Sequence, residues 1–149
     1  MEWLKEIIPD SSRVVTESID EKYLSDTLGR LKGKAAALVF VQSTEEASRI
    51  LQTAHSRGIP VTPRGAGTNL VGSTVPVDGG IILDFSLMNK LLELDRDTMT
   101  VTVEPGILLQ DLQRCVEDEG FFYPPDPGEK ASTIGGNISM NAGGMRAVK

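Results

Sequence analysis

The chain has 149 residues, 40% hydrophobic and 24% charged, the proportions of a globular domain able to build one core of its own. A net charge of −6 leaves no basic stripe for phosphates and argues against a nucleic-acid binder, and a single cysteine excludes a disulfide framework or a cysteine-built metal site. The longest apolar run, Ala35 to Val41, falls far short of the ~20 residues of a membrane helix, and Met1 to Pro9 lacks the basic-then-apolar pattern of a secretory leader, so a cytoplasmic location is expected.

Residues 1–33 read as a helical lead-in packed on the remainder of the chain. Leu4, Ile7 and Ile8 have helical spacing, and Tyr23, Leu24, Leu28 and Leu31 predict a second short helix. Ala35–Val41 is apolar at both parities, as in a strand covered on both faces. Ser43-Thr44-Glu45-Glu46 has the form of a capping box, with Ser43 capping the Glu46 amide and Glu46 reaching back to the amide of Ser43. The next helix carries Ala47, Ile50, Leu51 and Ala54 on one stripe and stops at Gly58. The prolines of Ile59-Pro60-Val61-Thr62-Pro63 hold that segment extended. The resulting strand–helix–strand unit predicts parallel neighbours in a sheet.

Three further strands are expected at Gly80–Asp84, Leu91–Asp95 and Thr98–Glu104, the last two joined by a tight turn at Arg96-Asp97. Leu108, Leu109, Leu112, Cys115 and Val116 then mark a helix ending before Gly120, with Cys115 on its buried stripe. The fold class is therefore α+β: a small mixed sheet with a parallel strand–helix–strand unit and flanking helices.

The 15 glycines exceed the usual ~7% share, and they are concentrated. Five fall between Gly65 and Gly80, and five between Gly128 and Gly144. The first cluster, Pro63-Arg64-Gly65-Ala66-Gly67-Thr68-Asn69-Leu70-Val71-Gly72-Ser73-Thr74, comes after a strand, and its glycines allow exposed amides to form an anion-binding nest. It is neither common phosphate motif. G-x-G-x-x-G would need glycine where Leu70 stands, and the G-x-x-x-x-G-K-[ST] loop would need lysine where Ser73 stands. In the second stretch, Ser132 or Thr133 is placed to cap a short helix whose amides face an anion, and Asn137 and Asn141, four apart, would share a face. Two such clusters suggest one ligand long enough to touch both, a dinucleotide. A flexible turn without a ligand is the alternative for the first cluster taken alone.

His55 reads as a surface histidine, Trp3 as an anchor for the lead-in, and Asn137-Ile138-Ser139 as a chance glycosylation sequon. Nothing in the chain calls for an acid, base or nucleophile, so no catalytic and no metal-binding residue is assigned.

Three segments occur in a telling order: Pro60 to Thr68, Val101 to Gly106, and Pro124-Pro125-Asp126-Pro127 with Ser132 to Ile138 and Asn141 to Gly144 after it. Together they resemble the N-terminal FAD-binding region of the vanillyl-alcohol-oxidase-type (PCMH-type) flavoproteins, especially the glycolate oxidase FAD subunits and D-lactate dehydrogenases. The resemblance spans about residues 35–149 and implies the PCMH-type FAD-binding fold, in truncated form. Residues 34–149 would be the N-terminal part of an FAD domain, with the rest of that domain and the substrate domain lying elsewhere in a longer protein. It implies FAD-dependent oxidation of a 2-hydroxy acid by hydride transfer in the intact enzyme. The isolated segment would be inactive, and partner subunits or a second copy would be its protein partners.

The cofactor-binding residues it implies are Pro63, Arg64, Gly65, Ala66, Gly67, Thr68, Asn69 and Gly72 around the pyrophosphate, largely through backbone amides. Pro125 and Asp126 would lie towards the flavin, and Ser132, Thr133, Gly135, Gly136, Asn137, Ile138, Asn141, Ala142, Gly143 and Gly144 would line the remainder. Thr68 stands beside the glycines where covalent members often carry histidine, which implies non-covalent FAD. Alternatives kept open are a nucleotide-binding or scaffold module without catalysis, and a same-family flavoenzyme of different chemistry, such as an ether-lipid precursor synthase.

Overall fold

The computed structural model describes residues 1–145. Helix α1 (Glu2–Ile7) buries Trp3, Leu4 and Ile7, and a 3-10 turn (Ser11–Arg13) leads into a two-residue strand, β1 (Val14–Val15). A one-turn helix, α2 (Glu21–Leu24), is capped by Asp20. It ends at Leu24, and Leu28 and Leu31 are exposed in the loop beyond, so the helix expected through Leu31 does not extend that far.

Strands β2 (Ala37–Phe40), β3 (Val61–Arg64) and β4 (Ile81–Asp84) join β1 in a mixed sheet of order β1-β2-β4-β3. Helix α3 (Thr44–Ser56) connects β2 to β3. The two strands of this unit are parallel but not adjacent, because β4 inserts between them and pairs in parallel with both. The sequence explains the order. All four residues of β4 are buried, which suits a central strand, whereas β3 contains Pro63, which lacks an N–H and is tolerated at a sheet edge. On the far side β1 pairs antiparallel with β2, Val14 opposite Val39.

Ser43 caps α3 as expected, its hydroxyl oxygen accepting the Glu46 N–H. The Glu46 carboxylate does not complete the box. It accepts instead from the Gln42 N–H at 2.8 Å and takes a two-point grip from Arg13 at 2.8 and 2.9 Å, tying the 3-10 turn to the start of α3. These bonds, the Arg13 grip foremost, hold the carboxyl of Glu46 below its usual range. Of the predicted α3 stripe, Ala47, Ile50 and Ala54 enter the core with Leu4, Ile8, Val39, Val41, Ile81 and Leu83, while Leu51 remains exposed. Arg57 stacks over Trp3, 5.4 Å from the ring centre, so the lead-in is anchored as Trp3 suggested.

A separate antiparallel hairpin is formed by β5 (Leu91–Asp95) and β6 (Thr100–Val103). Its turn occupies residues 96–99 rather than a two-residue link, with Met99 left-handed at φ +54° and the Asp95 carboxylate accepting the amides of Asp97 and Thr98. Helix α4 (Leu109–Asp118) packs Leu109, Leu112 and Val116 against this hairpin in a second apolar cluster. Cys115 is exposed and Gln113 is buried in α4. Spacing alone placed the thiol on the stripe, whereas the amide of Gln113 is drawn in by Lys130 and the Pro125 carbonyl. The last element is α5 (Ile134–Ser139), which shares Ile134 with the second cluster. Among the described residues no helix is long and apolar enough to cross a membrane.

Candidate functional site

The loop after β3 and the start of α5 face each other across a cleft of about 490 Å³. The first loop leaves β3 at its carboxyl end, where open parallel sheets habitually place ligands. Two contacts join the walls. Gly65 lies so close to Thr133 that a β-carbon on Gly65 would stand 2.1 Å from the threonine hydroxyl, and Ser73 donates to the Met140 sulfur at 3.3 Å.

The cleft brings together Pro63, Arg64, Gly65, Ala66, Gly67, Thr68 and Asn69 from one side, and Ser132, Thr133, Gly135, Gly136, Asn137, Ala142 and Gly143 from the other. Phe85 and Pro105 supply apolar wall, and Ser73, Thr74, Pro127, Glu129, Ser139 and Met140 complete the lining. Phe85 carries no sequence signal, because an isolated aromatic is common everywhere, whereas Pro105 belongs to the Val101–Gly106 segment of the resemblance without being marked there as a cleft residue. Ser73 and Thr74 were visible as short donors within the first loop.

Six of the implied residues stand off the lining, each for a physical reason. Gly72 backs onto Leu31, whose Cδ1 would lie 2.3 Å from an added β-carbon. Pro125 gives its carbonyl to Gln113, and Asp126 is buried with Lys130 at 3.4 Å. Gly144 presses onto that same segment, 1.9 Å from the Asp126 carbonyl at the β-carbon position. Ile138 points outward, 74% exposed. Asn141 lies past the end of α5 at φ +49° and gives the helix a left-handed stop, so it does not share a helix face with Asn137.

The inner face of the first loop is rich in donors. Gly67 is left-handed at φ +73°, the conformation from which amide concavities are built. Among the described residues, the N–H groups of Ala66, Gly67, Thr68, Asn69 and Leu70 meet no protein acceptor, whereas those of Val71 and Ser73 are taken by the side-chain oxygen of Asn69. Asn69 donates in turn to Thr74 at 3.0 Å.

The helix end behaves differently from the expectation. Thr133 does cap α5, accepting from Gly136, but the first amides of α5 do not face an anion. Ile134 donates to the Ile107 carbonyl and Gly135 to that of Pro105, fixing α5 to the segment after β6. Gly135 is required by that close approach, since a β-carbon there would stand 2.9 Å from the Pro105 oxygen. What α5 offers the cleft is the side chain of Asn137, half-buried and without a protein hydrogen-bond partner among the described residues.

Arg64 is 7% exposed and serves the framework. Its guanidinium donates to the Lys22 carbonyl at 2.9 Å and to Thr74 at 3.3 Å, and stacks on Tyr23 with 5.1 Å to the ring centre. Asp84 stands opposite it in the β3–β4 register. Burial raises the carboxyl pKa of Asp84 above its usual value, opposed by the Ser86 amide and by Arg64.

The cleft thus supplies amides that have no acceptor among the described residues on one wall, short polar side chains on the other, and apolar lining from Phe85 and Pro105. A donor set of neutral amides suits a phosphodiester anion, and the apolar surface of Phe85 and Pro105 suits a flat apolar group beside it. That is the composition of a site for part of a dinucleotide cofactor.

The comparisons with known proteins agree. A family model described as an FAD binding domain matches residues 35–149. The chain belongs to this FAD-binding family, and FAD is its cofactor. It is 44% identical to a D-lactate dehydrogenase of Anaerostipes hadrus over 151 aligned positions, covering 100% of this chain and 31% of that protein. It is 45% identical to the glycolate oxidase subunit GlcD of Bacillus subtilis (strain 168), covering 85% of this chain and 27% of that one. A solved alkyldihydroxyacetonephosphate synthase superimposes with a TM-score of 0.85 at 25% identity, covering 99% of this chain and 30% of that structure. The chain therefore spans about a third of the length of these relatives.

Proposed function

We propose that the chain is the cofactor-holding part of a flavin-dependent oxidoreductase acting on a 2-hydroxy acid of the lactate or glycolate type. Residues 1–33 serve as its lead-in, and residues 34–149 as the N-terminal part of the FAD domain. The observation that carries the reading is that the amides of Ala66, Gly67, Thr68 and Asn69, which meet no acceptor among the described residues, belong to a loop that lines one cleft together with Asn137. The D-lactate dehydrogenase and the glycolate oxidase subunit support the hydroxy-acid assignment by name and identity.

In this reading the loop amides hold the pyrophosphate, Asn137 reaches a polar edge of the cofactor, and Phe85 and Pro105 shield it from water. Thr68 offers no imidazole for a covalent link, so FAD is held without one. The flavin, when bound, supplies the acceptor for the hydride leaving the α-carbon, while the hydroxyl proton goes to a base outside the described residues and a 2-oxo acid results. The cytoplasm is the proposed location.

The test is anaerobic addition of D-lactate or glycolate to the full-length flavoprotein. Bleaching of the oxidised flavin band with formation of the 2-oxo acid is the expected result, and a band that no 2-hydroxy acid bleaches would overturn it. A second reading, alkyl transfer on the same scaffold, is favoured by the synthase likeness and predicts no net bleaching by hydroxy acids.

A further inference from the structure

The lead-in between α2 and β2 touches the glycine loop only from behind, and among the described residues none before Pro63 lines the cleft. Thr27 makes the hydrogen-bonded contact. Its single O–H is shared between the Gly67 carbonyl at 3.0 Å and the Asn69 carbonyl at 3.2 Å, the first of these 40 residues away in sequence. We propose that Thr27 is a positioning residue for FAD, acting through the orientation of these two peptide groups, a role that rests on the cofactor site proposed for the cleft.

A trans peptide is planar, and its C=O and N–H point in opposite directions. The described peptides are all trans. A hydroxyl that captures the carbonyls of Gly67 and Asn69 therefore turns the N–H groups of Thr68 and Leu70 away from the lead-in. Thr68 lines the cleft, and its amide meets no acceptor among the described residues, which leaves it available to a ligand there. Without the hydroxyl nothing on the lead-in holds the Gly67 carbonyl, so the peptide after Gly67 tilts more freely: glycine tolerates the change in its own ψ, while Thr68 resists a complete flip because it would need a positive φ. A tilted peptide aims its N–H away from the pyrophosphate and brings the carbonyl oxygen nearer to it, which weakens binding.

Neighbouring contacts keep Thr27 in reach. Arg64 ties the Lys22 carbonyl to the root of the loop, and Leu31 sits against Gly72 at its far end. The Asp26 carboxylate accepts the amides of Arg30 and Leu31, which fixes the turn that carries Thr27.

The test compares FAD dissociation constants of full-length wild type, Thr27→Val and Thr27→Ser, with hydrogen exchange at the Thr68 amide in free and FAD-loaded wild type. Valine keeps the shape and removes the donor, and is expected to weaken FAD binding by about five- to tenfold with an unchanged melting temperature. Serine is expected to restore wild-type affinity, and FAD is expected to protect the Thr68 amide.

Wild type that binds no FAD would overturn the cofactor reading itself. Wild type that binds while Thr27→Val binds equally well would overturn the role of Thr27 alone. So would a serine variant as weak as valine, or a Thr68 amide that FAD leaves unprotected, an outcome that does not depend on either variant folding.

Discussion

Gly65 is the residue at which the two walls of the cleft meet, and Gly65→Ala isolates that contact. The φ of Gly65 lies outside the left-handed range, so an added methyl brings no backbone strain. It would stand 2.1 Å from the Thr133 hydroxyl oxygen, 3.2 Å from its Cβ and 3.3 Å from its Cγ2. Thr133 is almost fully buried and caps α5 through that same hydroxyl. Rotating the threonine loses the cap, worth about 1 kcal/mol, and leaves a methyl group overpacked at a cost of about 1–3 kcal/mol. The expected destabilisation, the sum of the two, is therefore about 2–4 kcal/mol. The chain has one tryptophan, the buried Trp3, whose fluorescence reports urea unfolding. A double-mutant cycle with Thr133→Ala sharpens the test. Once Gly65→Ala has displaced the hydroxyl, removing it costs nothing more, so the two changes should couple by at least about 1 kcal/mol. Strict additivity, or a Gly65→Ala variant as stable as wild type, would mean that the walls are not joined through this hydroxyl.

Gly67→Ala should both destabilise the chain and weaken FAD binding, because its φ of +73° disfavours a side chain and the new methyl would meet the Arg64 guanidinium at 2.1 Å; melting and FAD titration read the two effects separately. Asn137→Ala should leave the melting temperature nearly unchanged and lower FAD affinity, since the carboxamide makes no hydrogen bond among the described residues. Glu46→Gln should cost about 1–2 kcal/mol by urea titration, a partly buried pair lying between the surface and core cases. The pH sign comes from the lowered Glu46 pKa. The carboxylate's contribution is fully present above the ordinary glutamate range and is lost as pH falls through the lowered value, so the variant should lose less stability than wild type on acidification.

Local chemistry made much of the fold legible. The Ser43 cap, the buried strand at β2, the glycine stop at Gly58 and the position of every sheet strand after residue 35 follow from side-chain type and spacing. What spacing could not supply was pairing. The insertion of β4 between β2 and β3, and the edge strand Val14–Val15, depend on which surfaces meet in space. The same limit applies within the site. The two glycine clusters converge on one cleft, but several glycines answer to the protein itself. Gly65 admits Thr133, Gly135 admits Pro105, and Gly144 admits the Asp126 carbonyl. The first-turn amides of α5, which looked available to an anion, are occupied by the carbonyls of Ile107 and Pro105, partners distant from α5 in sequence.

Everything proposed for the cleft between the loop at residues 65–74 and α5 requires that it hold FAD, and threonine at position 68 is the reason for expecting that it does so without a covalent bond. The flavin content of the purified full-length protein, before and after acid precipitation, decides this. One FAD per chain, released entirely into the supernatant, is the expected outcome. A folded protein that takes up no FAD would overturn the assignment of the cleft, and flavin that stays with the precipitate would overturn the non-covalent attachment.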